Sequence, residues 1–205
     1  MNKIAEKIEE HFKNKTYCKI TRKVGKDAVE MSSGYIVDYS DNFLLLHETG
    51  DFLVVCYNVL PINQIQKIRF NKWDKCQNKI MILEGEIEKV GIKYKIDLNS
   101  WETVFKSIKN HLLNVIVECE SPDIAGFTIG PIVKTTKKYV YIQNFDPAGV
   151  LDEKPTSIDF ESVTKVKFDD RYINIFSKYL RPKRSGKVYN YSIKKGEKLS
   201  AIRIK

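Results

Sequence analysis

Residues 62–70 read Ile-Asn-Gln-Ile-Gln-Lys-Ile-Arg-Phe, and residues 160–168 read Phe-Glu-Ser-Val-Thr-Lys-Val-Lys-Phe. Both stretches place apolar residues at the first, fourth, seventh and ninth positions, and the two are 98 residues apart. A spacing of three followed by a spacing of two is typical of a short 3₁₀ turn that runs into a strand. The sequence therefore predicts the same turn-and-strand unit twice.

The elements around this unit also occur in the same order twice. Apolar residues recur every three or four positions in residues 4–12 and 104–112, which predicts two helices with one buried stripe each. Asn99 is predicted to cap the second helix, with Glu102 completing a capping box. Gly34 and Gly126 each open an apolar stretch that is typical of a bent second strand. Further strands are predicted at residues 17–22, 114–120, 43–46, 139–142, 80–83 and 173–176, and hairpins at 86–98 and 178–205.

This order of elements predicts a duplicated chain, with a first unit at residues 1–98 and a second at residues 99–205. A helix followed by about five short antiparallel strands favours a small barrel, because closure leaves no exposed strand edge. The expected fold is therefore mainly β (α+β by content), with two tandem small β-barrels that are each preceded by an N-terminal helix.

The pattern resembles the Sm-like small-barrel family. Gly34-Tyr35-Ile36 through Phe43-Leu44-Leu45 carry the first part of the resemblance, and Pro61-Ile62 through Ile68 carry the second. The resemblance implies two tandem Sm-like barrels. The RNA pocket of that family uses an Asp and an Asn in the first motif and an Arg-Gly pair in the second. Here Asp41 and Asn42 are displaced within the turn and Arg69 is followed by Phe70, so the resemblance implies a fold and no intact RNA pocket.

The net charge is concentrated at one end of the chain. Residues 178–205 contain ten Lys or Arg and one acid, which gives +9, the formal charge of the whole protein. Attraction to polyanions is therefore expected from this end alone. Only six of the 35 basic residues are Arg, so a compositional bias toward Lys explains the same excess equally well.

The basic end is also where aromatic rings alternate with lysines. Tyr189 and Tyr191 are two residues apart, so in a strand they would share one face beside Lys187 and Lys194. Basic groups with stacking rings are what single-stranded nucleic acid binding requires. The predicted nucleic-acid-binding residues are Arg181, Lys183, Arg184, Lys187, Tyr189, Tyr191, Lys194 and Lys195.

The leading functional hypothesis is a non-catalytic module that binds RNA, single-stranded nucleic acid or another polyanion through this end. The alternative is a protein-interaction or self-assembly module with an exposed apolar strand, for which residues 52–59 are the candidate. An enzyme of unidentified type is the third reading. We expect no catalytic residues, metal site or cofactor, because none of the corresponding motifs occurs.

The cysteines and the apolar runs bear on where the protein resides. The four cysteines lack the close spacing of metal or redox motifs, so they are predicted to be reduced thiols in a cytoplasmic protein. The longest apolar runs are about six residues, well short of the roughly 20 needed to cross a bilayer, and no membrane partner is expected.

Overall fold

The computed structural model describes residues 3–183. Its helices are α1 Lys3–Asn14, α2 Lys72–Leu83, α3 Trp101–Asn110 and α4 Arg171–Phe176. Its strands are β1 Tyr17–Lys23, β2 Val29–Tyr39, β3 Phe43–Gly50, β4 Leu53–Pro61, β5 Ile65–Arg69, β6 Asn114–Cys119, β7 Gly126–Thr135, β8 Tyr139–Ile142, β9 Val150–Leu151, β10 Thr156–Asp159, β11 Lys165–Phe168 and β12 Arg181–Pro182. One-turn 3₁₀ helices at Ile62–Gln64 and Phe160–Ser162 lead into β5 and toward β11, as the two matching stretches predict.

Ten of the strands form one antiparallel sheet, in the order β10-β8-β7-β6-β11-β4-β3-β2-β1-β5. The prediction of two tandem small β-barrels is wrong, because within residues 3–183 neither half of the sheet closes into a barrel. The physical reason lies at the junction, where β4 of the first half pairs with β11 of the second instead of with β5. Residues 57–59 of β4 face residues 166–168 of β11, so one sheet runs through both halves.

Within this sheet the two halves follow the same strand order. The first half runs β5-β1-β2-β3-β4 and the second runs β11-β6-β7-β8-β10. The glycine that corresponds to Gly34 is Gly130 rather than Gly126, because both adopt a positive φ, of 157° and 150°. The predicted match of Gly34 with Gly126 is therefore wrong by four residues.

Within the described residues, three apolar cores flank the sheet. The main core lies on one face and receives α3, through side chains such as Val104, Phe105 and Ile108. On the other face, α1 covers a smaller core in the first half around Ile8 and Ile20, and α4 covers a third around Ile173 and Phe145. The aliphatic side chains that alternate along each strand thus point to opposite faces of one sheet and pack in the cores on both sides.

Several local predictions are wrong because helix caps override short apolar runs. Residues 80–83 lie in α2, whose first turn is held by a capping box between Asn71 and Asp74. Residues 173–176 lie in α4, where the Asp170 carboxylate accepts from the amides of Tyr172 and Ile173. Side-chain acceptors at a helix start commonly stabilise it by about 1 kcal/mol, enough to decide an ambiguous segment.

Two further predictions fail in the connection before α3. Ser100, not Asn99, caps α3, in a capping box with Thr103 rather than Glu102. Residues 86–98 form no hairpin: a one-turn 3₁₀ helix, Glu86–Lys89, is followed by a segment without strand pairing. This segment is instead fixed to the sheet through Val90, Ile96 and Leu98, which are buried in the main core.

Candidate functional site

The strongest candidate site is a groove that begins where β11 ends. After Phe168, Asp169 adopts a φ of 53° and the chain turns into α4. Strand β11 therefore leaves the backbone edge of residues 53–56, at the start of β4, without a neighbouring strand, and among the described residues these pair with β3 alone. Leu53 and Val55 are 52% and 37% exposed, whereas residues 56–61 of the same strand are buried.

Two other segments complete the groove. The connection after α2 forms one wall with Glu88, Lys89 and Lys93. Helix α4 and the turn that follows it form the other, with Arg171, Asn174, Ile175 and Lys178. The groove has a volume of about 790 Å³. Sites that take small ligands or short peptide segments commonly have volumes of this order.

Three stacked rings from adjacent strands lie beneath the groove, and one of them, His47, lines it. The ring of His47 stacks on that of Tyr57 with centroids 4.1 Å apart, and Tyr57 stacks on Phe168 at 5.2 Å. These residues face one another directly across β3, β4 and β11. The Tyr57 hydroxyl donates to the carbonyl of Gly91 at 2.7 Å and accepts from the amide of Lys93 at 3.2 Å, so the stack also holds the wall in place.

The groove carries more positive than negative charge. Its charged lining consists of Lys89, Lys93, Arg171, Lys178, Glu88 and Asp169. Asp169 accepts from Lys93 at 3.4 Å and from the Asn174 amide at 2.8 Å, and Lys89 pairs with Glu86. Within the part of the chain that the structure describes, Arg171 and Lys178 are exposed and have no acidic partner, so the α4 wall presents two uncompensated cations.

His47 is held in its neutral form beneath this charge. Burial, with the nearby positive charge of Lys93, lowers the pKa of His47 to about 4. Its Nδ1 accepts from the Gly91 amide at 3.4 Å, which places the proton of the neutral ring on Nε2. Since an imidazole with such a low pKa carries no charge at neutral pH, His47 contributes shape rather than charge to the groove.

The burial of His47 predicts that the folded protein loses stability in acid. Because the folded-state pKa of His47 lies below the ordinary value of 6.5, the unfolded chain takes up a proton first. The contribution of neutral His47 to stability is therefore complete above about pH 6.5 and is lost as the pH falls toward 4. Urea unfolding at a series of pH values should show this slope, and His47→Phe should make it shallower; the remainder comes in part from His11, whose pKa is also lowered by burial. His111→Phe, at the exposed end of α3, should leave the slope in place; a slope unchanged in His47→Phe would contradict the prediction.

The groove lacks a reactive nucleophile among its described residues. Burial, together with the neighbouring Glu48 carboxylate, raises the pKa of the Cys56 thiol, so the sulfur stays protonated. Glu48 itself forms an ion pair with Lys167 at 3.2 Å. In residues 3–183 no group of three or more His, Cys, Asp or Glu side chains is arranged to hold a metal ion. The arrangement suits binding of a ligand by shape, charge and backbone contacts.

The predicted nucleic-acid-binding residues are only partly placed. Arg181 lies in β12, which pairs in parallel with β9, and Lys183 forms an exposed ion pair with Glu153 at 3.2 Å. Arg184, Lys187, Tyr189, Tyr191, Lys194 and Lys195 lie outside the described residues, as does most of the hairpin predicted at 178–205. Sequence reasoning missed the groove, although it singled out residues 52–59, of which the first four include the exposed Phe52, Leu53 and Val55.

Comparisons with protein-family models, with curated proteins and with solved structures return no match for this chain. The resemblance to the Sm-like family therefore stays a prediction. No helix in residues 3–183 is long and apolar enough to span a bilayer.

Proposed function

We propose that this protein is a non-catalytic interaction module whose groove binds an extended acidic polypeptide segment. The observation that carries the proposal is the unpaired strand edge at residues 53–56 beside Arg171 and Lys178, which have no acidic partner among the described residues. An uncovered strand edge offers main-chain donors and acceptors to an added strand, and side-chain pockets then supply specificity.

The groove has the parts that strand addition requires. The amide of Val54 donates to a carboxylate oxygen of Glu86 at 3.4 Å, so this amide points away from β3 and toward the connection after α2, which forms one wall of the groove. A carbonyl of the bound segment would take the place of that carboxylate. The exposed side chains of Leu53, Val55 and Ile175 would then receive apolar side chains of the ligand.

Charge selects the ligand. Acidic side chains of the bound segment would lie against Arg171 and Lys178. Neither forms an ion pair with another residue in 3–183, so no such pair within these residues has to break on binding. The exposed apolar side chains of the groove are aliphatic, and the one ring in its lining, His47, is buried in a stack with Tyr57 and Phe168. Base stacking requires exposed rings, so these features favour a polypeptide over a nucleic acid in this groove.

The test uses two fluorescein-labelled ten-residue peptides, one alternating valine with glutamate and one alternating valine with lysine. The glutamate peptide should bind, and the double variant Arg171→Glu/Lys178→Glu should weaken it at least tenfold, or about 1.4 kcal/mol. The matched control is Lys137→Glu/Lys138→Glu, which makes the same change in net charge on exposed residues between β7 and β8. Equal weakening in both double variants, or equal binding of both peptides, would contradict the proposal.

A second candidate function is nucleic acid binding by the basic end, favoured by the ten basic residues in 178–205. Lys178 belongs both to the groove and to this segment. Titration of the same proteins with a labelled 20-nucleotide single-stranded RNA, at about 50 and 200 mM salt, separates the two functions. RNA binding that weakens steeply with salt and is lost in Lys194→Glu/Lys195→Glu would support the second candidate.

A further inference from the structure

Helix α2 turns its polar side toward the sheet. Asp74, Asn78 and Met81 recur at spacings of four and three, and all three face inward. The Asp74 carboxylate accepts two bonds from Arg69, both at 2.9 Å, and the Asn78 side-chain oxygen accepts from the Tyr17 amide at 2.9 Å. Hydrogen bonds and one ion pair, with only Met81 in the main core, thus attach the helix to the first half.

The opposite side of α2 is apolar and uncovered. Trp73, Cys76, Ile80 and Leu83 follow one another at spacings of three, four and three. Trp73 is 67% exposed and Leu83 is 71% exposed, Cys76 is exposed and Ile80 is half-buried. At about 100° per residue the four side chains fall within an arc of roughly 80°, on the side away from Asp74. The usual placement of polar and apolar faces on a surface helix is therefore reversed.

The width and spacing of this stripe indicate the kind of surface that it fits. A stripe that follows the three-four-three spacing is the narrow seam of paired helices, whereas a helix lying in a lipid surface presents a wide apolar face. Lys72 and Lys79 each precede a stripe residue, at the flanking positions where paired helices exchange salt bridges. Both lysines are exposed, and neither forms an ion pair among the described residues. A helix that packs against this stripe would therefore be stabilised by acidic residues opposite the two lysines.

We propose that the outer face of α2 docks an amphipathic helix of another protein, with apolar residues at the seam and acidic residues along its edges. This site shares no residue with the groove and is independent of the function proposed for it. A second copy of this chain fits less well, because antiparallel pairing of two α2 helices would set lysine against lysine. Three helical turns bury a small area, so the interaction should be weak and reversible.

Two synthetic helical peptides of 18 residues test the proposal, both with leucine at the seam and without tryptophan. One carries glutamate at the flanking positions and the other carries lysine. The glutamate peptide should bind at micromolar concentration and shift the emission of Trp73 to shorter wavelength, and the lysine peptide should bind at least tenfold more weakly. The double variant Trp73→Ala/Leu83→Ala should weaken binding of the glutamate peptide at least tenfold, measured by anisotropy of a labelled peptide.

The controls separate this surface from others. Ile124→Ala/Phe127→Ala removes two comparably exposed apolar side chains on the second half and should leave binding unchanged. Arg171→Glu/Lys178→Glu should also leave it unchanged, so failure of the groove proposal and failure of this one are distinguishable. No binding at 200 µM, equal binding of the two peptides, or a dimer of the protein that dissociates in Trp73→Ala would overturn the proposal. Because Trp73 and Leu83 are exposed, the variants Trp73→Ala and Trp73→Ala/Leu83→Ala should keep the melting temperature of the parent protein. Circular dichroism checks this.

Discussion

Replacing Gly34 with alanine is expected to destabilise the protein by about 3 kcal/mol or more, because two separate costs add. At a φ of 157° an L-residue is strained, and a Cβ built on Gly34 would lie 2.2 Å from the carbonyl oxygen of His47. That oxygen belongs to the backbone of β3, which pairs with β2 along its length. Relief of the clash therefore requires the two strands to separate, which also disturbs the His47 end of the ring stack.

Gly130 provides an internal repeat of this experiment. Its φ is 150°, and its Cβ would lie 2.1 Å from the carbonyl oxygen of Gln143. Gly130→Ala should therefore cost about as much as Gly34→Ala. Gly91→Ala is the matched control: a Cβ there meets nothing within 4 Å, and its φ lies outside the left-handed region. Urea unfolding curves give all three values, and a loss in Gly34→Ala no larger than in Gly91→Ala would contradict the prediction.

These two glycines also show how far the repeated sequence pattern can be followed. The sequences Gly34-Tyr-Ile-Val and Gly130-Pro-Ile-Val match at an offset of 96, but Ala125-Gly126 next to an apolar stretch gave a more obvious match. A glycine that is required by a close backbone approach looks the same in sequence as one that is not. The two predicted helices and the two 3₁₀ turns needed only local periodicity, and all four are present, although the second helix ends at Asn110, before the predicted end at residue 112.

The two wrongly predicted strands have a common cause. Short apolar runs such as residues 80–83 and 173–176 fit a buried strand or a helix equally well. The deciding residues lie several positions earlier, at Asn71 and Asp170, whose side chains cap the helices. Asn71 followed by Asp74 is a signal that sequence analysis can use, and so is Asp170 before Arg171.

The groove and the continuous sheet depend on residues that are distant in the chain. Residues 53–56 are open because β11, more than 100 residues later, ends at Phe168. Pairing between β4 and β11 replaces the barrel closure that local patterns favoured. No local pattern encodes the difference in length between two strands that meet across the sheet.

A buried ion network joins the two halves near the ends of β1 and β6. The Arg22 side chain, with none of its surface exposed, forms an ion pair with Glu120 at 2.9 Å and donates to the carbonyl of Thr164 at 2.9 Å. Glu120 also pairs with Lys165 at 3.1 Å and accepts from the Thr164 hydroxyl at 2.7 Å. Burial alone would raise the pKa of Glu120, but the charges of Arg22 and Lys165 outweigh it and lower the pKa.

Arg22→Ala is expected to destabilise the protein by about 3–5 kcal/mol, the usual cost of removing one partner from a buried ion pair. Loss of the guanidinium removes a hydrogen-bond donor from the Thr164 carbonyl and leaves Lys165 as the one remaining cation that pairs with Glu120 among the described residues. It also opens a cavity at a fully buried position. Lys106→Ala is the control, because Lys106 also contacts a carboxylate, that of Glu102 at 2.6 Å, but the two side chains are 57% and 28% exposed, so water can replace the contact. Equal unfolding midpoints for the two variants would contradict the prediction. If the penalty arises from the uncompensated charge, the double variant Arg22→Ala/Glu120→Gln, which leaves the same cavity, should recover part of it, whereas a pure cavity effect would leave the loss unchanged.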